Sequence, residues 1–166
     1  MTTAHDVSPA PATAGRGLTL VSTEPDNDVL PVSWEAEQAL AGAILNAENV
    51  TAAAWLALIA DEDLENPRAR SVIAVCRAVV QAGGNPDPVT VYGAAQRVGL
   101  VAGNDALKRF CEFAFDCYAK VPHPHTGHAY AQLVLAAAWR RRITEAGQRL
   151  AQAADEAADD TLHQLN

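Results

Sequence analysis

The stretch LPVSWEAEQALAGAIL, residues 30–45, contains both the start signal and the apolar pattern of an amphipathic helix. Ser33 is suited to an N-cap, and Glu35 and Glu37 would then lie in the first turn, where carboxylates favour the positive end of the helix dipole. Apolar side chains follow at helical spacing as far as about Asn46. The stretch therefore predicts the first helix of a helical core.

Caps and helix breakers delimit the helices that follow. Asn66-Pro67 and Asp87-Pro88 each place a capping side chain before a proline suited to the first helical position. Gly83-Gly84 should end the helix between them, because a positive φ is needed there. Pro122 and Pro124 prevent helix formation within residues 121–125, so a long helix should begin near Thr126. Asn49 should cap a helix that ends at Ala60, and Asn104 or Asp105 should start another. A short helix is expected after Asp160.

These boundaries predict an all-α fold: a compact bundle of about six helices followed by the long helix, to about Ala154, of a complete or incomplete helical hairpin. We expect three segments. Residues 1–29, rich in Thr, Ala, Pro and Ser without apolar period, should be a disordered tail. Residues 30–122 should form the globular helical domain, and residues 123–166 the long helix and the start of the hairpin. We find no sustained heptad pattern.

Composition excludes several classes of function. The net charge of −8 repels phosphate, so tight independent DNA binding is not expected, and an unrelated helical DNA-binding protein is disfavoured. Three cysteines, an odd number, argue against a disulfide framework and favour a reducing cytoplasm. No signal peptide or membrane-spanning run is present, so we predict a cytoplasmic protein without a membrane partner.

The sequence offers no residues for catalysis, a cofactor or a metal. The phosphate-binding pattern G-x-x-x-x-G-K-[ST] is missing, so no nucleotide cradle is predicted. His123, His125 and His128 are closely spaced, but no nearby cysteine completes a zinc site, and a solvated loop is favoured. The carboxylates cluster at helix starts and connectors, where capping explains them. We therefore predict a protein that is not an enzyme.

Several segments, taken in order, resemble the N-terminal domain of the DnaB-type bacterial replicative DNA helicases. They are Glu-Ala-Glu-Gln at 35–38, Ala-Gly-Ala-Ile-Leu at 41–45, Asp-Pro-Val-Thr-Val at 87–91, Gly-Leu with Gly at 99–103, and Tyr-Ala-Gln-Leu-Val at 130–134 with Arg141. The resemblance covers about residues 30–160. It departs at Asp63-Leu64, where the family usually has an aromatic pair, and at 70–73, where the family has a basic Arg-x-Ile-Phe-like segment. Relative to the family pattern, one residue is also missing before Asp87.

The resemblance implies a helicase collar domain without the RecA-like ATPase motor. It also implies that the given sequence stops inside the second helix of the hairpin. In the family this domain pairs through the hairpin, closes a hexameric ring, and docks primase and the helicase loader. We therefore expect self-association as a dimer or hexamer ring, and primase, loader or full-length helicase as partners. The alternative is a stand-alone regulator that binds a host helicase or primase.

The long helix supplies the candidate interface for these partners. Its members are Tyr130, Val134, Ala138, Arg141, Arg142 and Glu145. Small residues along the helix permit close helix–helix approach. The run 140–142 spans nearly a whole helical turn, so we interpret it either as a partner contact or as an ordinary solvated set, with Glu145 or a partner's carboxylate as the expected ion-pair acceptor. The three tryptophans, Trp34, Trp55 and Trp139, read more readily as core anchors than as binding residues.

Overall fold

A computed structural model describes the backbone of residues 32–98 and 104–164, and the side chains of residues 33–97 and 105–157. Within these ranges the chain forms helices and turns without a strand, which confirms the predicted all-α fold and the long final helix. The helices are α1 Val32–Leu45, α2 Asn49–Leu56, α3 Pro67–Gln81, α4 Pro88–Val98, α5 Asn104–Lys120 and α6 Gly127–Gln164. Two single 3-10 turns, Asp61–Asp63 and Pro124–Thr126, precede α3 and α6.

Helix α1 lies at the centre of the bundle and contacts α2, α3, α5 and α6. Its Leu40, Ile44 and Leu45 are almost completely buried, together with Leu64 and Ile73. Gly42 makes this central position possible, because a Cβ there would collide with the backbone carbonyl of Cys117 and lie 2.8 Å from Cβ of Val121. The sequence 41–45 therefore lets α5 approach the α1 backbone closely.

Three predicted helix signals are confirmed. The Asn66 side chain accepts hydrogen bonds from the amides of Arg68 and Ala69, with Pro67 in the first turn of α3. Asp87 caps α4 in the same way, through the amides of Val89 and Thr90. Gly83 follows the end of α3 with a φ of 82°, the left-handed conformation that favours glycine.

Other local predictions are wrong because long-range partners take over the polar side chains. Ser33 lies inside α1, and its hydroxyl donates to Glu65 Oε2 rather than capping the helix. Asn49 lies in the first turn of α2, and its amide donates to the carbonyls of Val80 and Gly84. Glu37 does not serve the α1 terminus, since its buried carboxylate accepts from the amides of Glu65 and Asn66, each at 2.8 Å.

Helix α6 also departs from its predicted boundaries. It continues through Asp159 and Asp160 to Gln164, so the expected short helix after this pair is part of α6. No second hairpin helix lies within the described residues. The predicted tail, residues 1–29, and the Gly-Leu…Gly connector fall outside them. Among the described residues, no helix has both the length and the apolarity required to cross a membrane.

Candidate functional site

Helix α6 has an inner half that belongs to the core and an outer half that leaves it. Over Gly127–Arg142, Ala131, Val134 and Ala138 are buried against the bundle. From residue 143 to residue 157 every side chain is exposed except the half-buried Ala146. At 1.5 Å per residue, the outer half from residue 143 to Gln164 is about 33 Å long.

Large apolar side chains line one face of the projecting part. Trp139, Ile143 and Leu150 are 59%, 66% and 73% exposed. With small residues between them, they form a face with alternating spacings of three and four, here called the α6 seam: Ala136, Trp139, Ile143, Ala146, Leu150 and Ala153. This spacing keeps the six residues on one side of a helix that pairs with another helix. Because large exposed apolar faces are typical of interaction sites, the α6 seam is the candidate interface of this chain.

The sequence contains this alternation of three and four, yet no sustained heptad is predicted from it. The two faces of α6 explain the error. The buried face of the inner half and the exposed face of the outer half are both apolar, so the pattern is blurred near residue 139. Trp139 itself is mostly exposed, and the prediction that it is a core anchor is wrong.

Two arginines attach α6 to the body at the point where burial stops. Arg142 Nη2 lies 2.7 Å from Asp63 Oδ1, and the Asp63 side chain is only 6% exposed. Arg141 Nη1 lies 3.6 Å from Glu65 Oε2. Nη2 of the same arginine donates to the backbone carbonyls of Glu62 and Asp63, both at 3.2 Å. We call these four side chains, Arg141, Arg142, Asp63 and Glu65, the α6 clasp.

The body side of the clasp is itself held by hydrogen bonds. Asp63 Oδ2 accepts from the amide of Ala60 at 2.8 Å, which fixes the carboxylate that faces Arg142. Glu65 accepts from Ser33 of α1, while Glu37 of α1 accepts from the backbone of Glu65. The turn at residues 61–65 is therefore fastened to α1 and presents two carboxylates to α6.

The structure divides the predicted interface residues into three groups. Val134 and Ala138 are buried, so these two side chains do not face a partner while α6 packs on the bundle. Tyr130 packs half-buried on the core, and its role as an interface residue stays a prediction. Arg141 and Arg142 pair with Glu65 and Asp63 of the same chain, and not with Glu145, which was one of the two expected acceptors beside a partner's carboxylate. Glu145 is exposed, and its role as an interface residue stays a prediction.

The remaining described residues provide neither a cluster of metal ligands nor a reactive buried thiol. Among the described residues, no group of three or more His, Cys, Asp or Glu side chains is placed to hold a metal ion. The three cysteines are free. Burial raises the pKa of Cys76, and burial with the nearby Asp116 raises the pKa of Cys117 to about 12, so both thiols are poor nucleophiles.

A second surface lies between α4 and α5. Tyr92, Leu107, Cys111 and Phe115 line an open groove there, together with Lys108 and Glu112. Phe115 is 49% exposed. The Lys108–Glu112 ion pair, at 3.9 Å, follows the α5 surface with both partners exposed, so it adds little stability.

Comparison with known proteins assigns the fold to a class. The sequence profile of the DnaB-like helicase N terminal domain matches residues 29–135, which is more than half of the chain. The chain belongs to this family, and the family supports the role of a replicative helicase N-terminal domain.

A solved structure is similar over most of its length. The crystal structure of the N-terminal domain of DnaB helicase from Mycobacterium tuberculosis has 25% sequence identity to this chain and a TM-score of 0.64. The similarity covers 77% of this chain and 86% of that one. A search of curated proteins gave no match.

Proposed function

We propose that this chain is a non-catalytic collar domain in DNA replication, which associates with further copies of itself and docks primase or a helicase loader. The family assignment supports the helicase context, and the α6 seam is the observation that carries the assembly role. A helix that leaves the body with Trp139, Ile143 and Leu150 exposed needs a partner to remove them from water.

The size of the seam predicts the strength of association. Burying one large apolar side chain contributes about 1.5–3 kcal/mol. A pair of copies would bury six such side chains, three from each copy. The resulting stabilisation is on the order of 10 kcal/mol, which is similar to the cost of lost translational and rotational freedom. We therefore expect a concentration-dependent equilibrium, not a permanent dimer.

Light scattering over a range of protein concentrations tests the assembly role. The mass should rise from that of one copy toward a dimer or hexamer. Leu150→Glu, which places a charge in the seam, should shift the midpoint to at least about tenfold higher concentration, equivalent to about 1.4 kcal/mol. Gln148→Glu is the matched control, since it adds the same side chain to the exposed α6 surface outside the seam.

The docking role is tested in the same instrument by adding the helicase-binding domain of a primase. A complex of defined stoichiometry supports the proposal. A chain that remains a monomer at every concentration and ignores primase contradicts it.

A further inference from the structure

We propose that the α6 clasp is a lock that braces the outer half of α6, and that opening the clasp allows this half to tilt without unfolding the bundle. The clasp lies within a single copy of the chain, so a test of the lock does not depend on the proposed function.

The position of the clasp is the first argument. Burial along α6 ends at Ala138, and beyond Arg142 only Ala146 is even half-buried. Because α6 is one continuous helix, its buried inner half sets the helix axis, and the last contacts before the outer half brace the helix where it leaves the body. Those contacts are the hydrogen bonds of Arg141 and Arg142 with the turn at residues 61–65.

The chemistry of the clasp is the second argument. Arg142 and Asp63 form a short charge-assisted hydrogen bond at 2.7 Å, in which Asp63 is buried and Arg142 is 40% exposed. Removing one member of such a pair leaves the other without its partner, and a buried carboxylate loses the most. By contrast, the inner half of α6 is held by Ala131, Val134 and Ala138, which do not depend on charge.

Arg142 also connects the clasp to the seam. Its guanidinium lies 5.8 Å from the ring centroid of Trp139, a distance at which a cation–π attraction operates. The same side chain thus contacts the body through Asp63 and the start of the seam through Trp139. Arg142 is therefore a positioning residue for both the helix direction and the tryptophan.

A small rotation at the clasp displaces the far end of α6 by several ångströms. The outer half is about 33 Å long, so a rotation of about 10° at the clasp moves its far end by about 6 Å. This displacement runs across the helix axis, so it would change the crossing angle and the separation between α6 and any helix paired with the seam.

Hydrogen exchange measured by mass spectrometry tests the lock on the full chain. Arg142→Gln should raise exchange at least about threefold in the peptides covering 60–66 and 139–150, which are regions of lowered local stability once the clasp is open. Exchange in α3 at 72–79, the buried core, should be unchanged. Asp63→Asn should reproduce the pattern, because the amide oxygen retains an acceptor for Ala60 while the charge is lost.

Arg140→Gln is the matched control. Arg140 is exposed, lies on the same helix, and makes no ion pair among the described side chains. Recording the light-scattering mass of each variant separates a change in α6 from a change in association. The lock is refuted if both segments exchange as in the wild type, if Arg140→Gln has the same effect, or if the α3 core becomes equally labile.

Discussion

At the scale of single residues, Glu37 is the most informative polar side chain. It is 1% exposed in the middle of α1, and both carboxylate oxygens accept backbone hydrogen bonds from the segment that starts α3. Its position explains why a carboxylate stands among the apolar residues of α1. Its carboxylate supplies acceptors for the amides of Glu65 and Asn66, which would otherwise lack a partner.

We predict that Glu37→Ala lowers the free energy of unfolding by about 2–4 kcal/mol, because two amides near the core lose their acceptor. Urea denaturation followed by circular dichroism measures the change. Glu35→Ala is the control, since Glu35 lies on the same helix and is exposed, and it should change stability by less than about 0.5 kcal/mol. Equal effects for the two variants would contradict this role of Glu37.

At the scale of the elements, the contact between α1 and α5 depends on the missing side chain of Gly42. A Cβ at this position would overlap the Cys117 carbonyl, which is backbone and cannot rotate away. We predict that Gly42→Ala destabilises the fold by about 2 kcal/mol or more through overpacking. Gly147→Ala should instead stabilise it by up to about 1 kcal/mol, because that glycine lies within α6 with nothing within 4 Å. Thermal melts of the two variants should shift in opposite directions.

The α4 cap gives a prediction about pH. Burial tends to raise the pKa of Asp87, but hydrogen bonds from the Thr90 hydroxyl and from the amides of Thr90 and Val89 outweigh it and lower the pKa from its ordinary value. A lowered carboxyl pKa in the folded state contributes stability above the unfolded pKa, and this contribution is lost as the pH falls through the folded value.

We therefore expect Asp87→Ala to cost about 1 kcal/mol at pH 7 and progressively less below about pH 4. Urea midpoints measured from pH 7 to pH 2 would reveal this convergence. A deficit that stays constant down to pH 2 would mean that the charge of Asp87 is not what stabilises the α4 start.

At the scale of the whole molecule, the bundle packs around α1, while the outer half of α6 extends beyond it. The cysteines provide a probe of the bundle, since Cys76 and Cys117 are buried and Cys111 is half-buried in the groove between α4 and α5. We predict that Cys111 is alkylated first at pH 8, and that Cys76 and Cys117 react only when the bundle unfolds globally. Mass spectrometry of peptides after timed iodoacetamide treatment measures the order. Early modification of Cys117 would show that α5 separates from α1 independently.

Local chemistry was sufficient to predict the helices and several of their ends. Asn66, Asp87 and Gly83 act on atoms within four residues of themselves, so their caps and turns follow from the sequence alone. The apolar periodicity of residues 30–45 was likewise enough to predict a buried helix. The family resemblance rested on such segments, and the family comparison supports it.

Only the tertiary structure decided which polar side chains meet and which face of α6 stays in water. Glu37, Asn49 and Arg142 bond to groups 29, 31 and 79 residues away, and no local pattern encodes such distances. Helix α6 carries two apolar faces, and its sequence does not say which one the body will cover. The position of α1 and the carboxylates of the turn at 61–65 make that choice, because they bury Val134 and Ala138, bind Arg141 and Arg142, and leave the seam exposed.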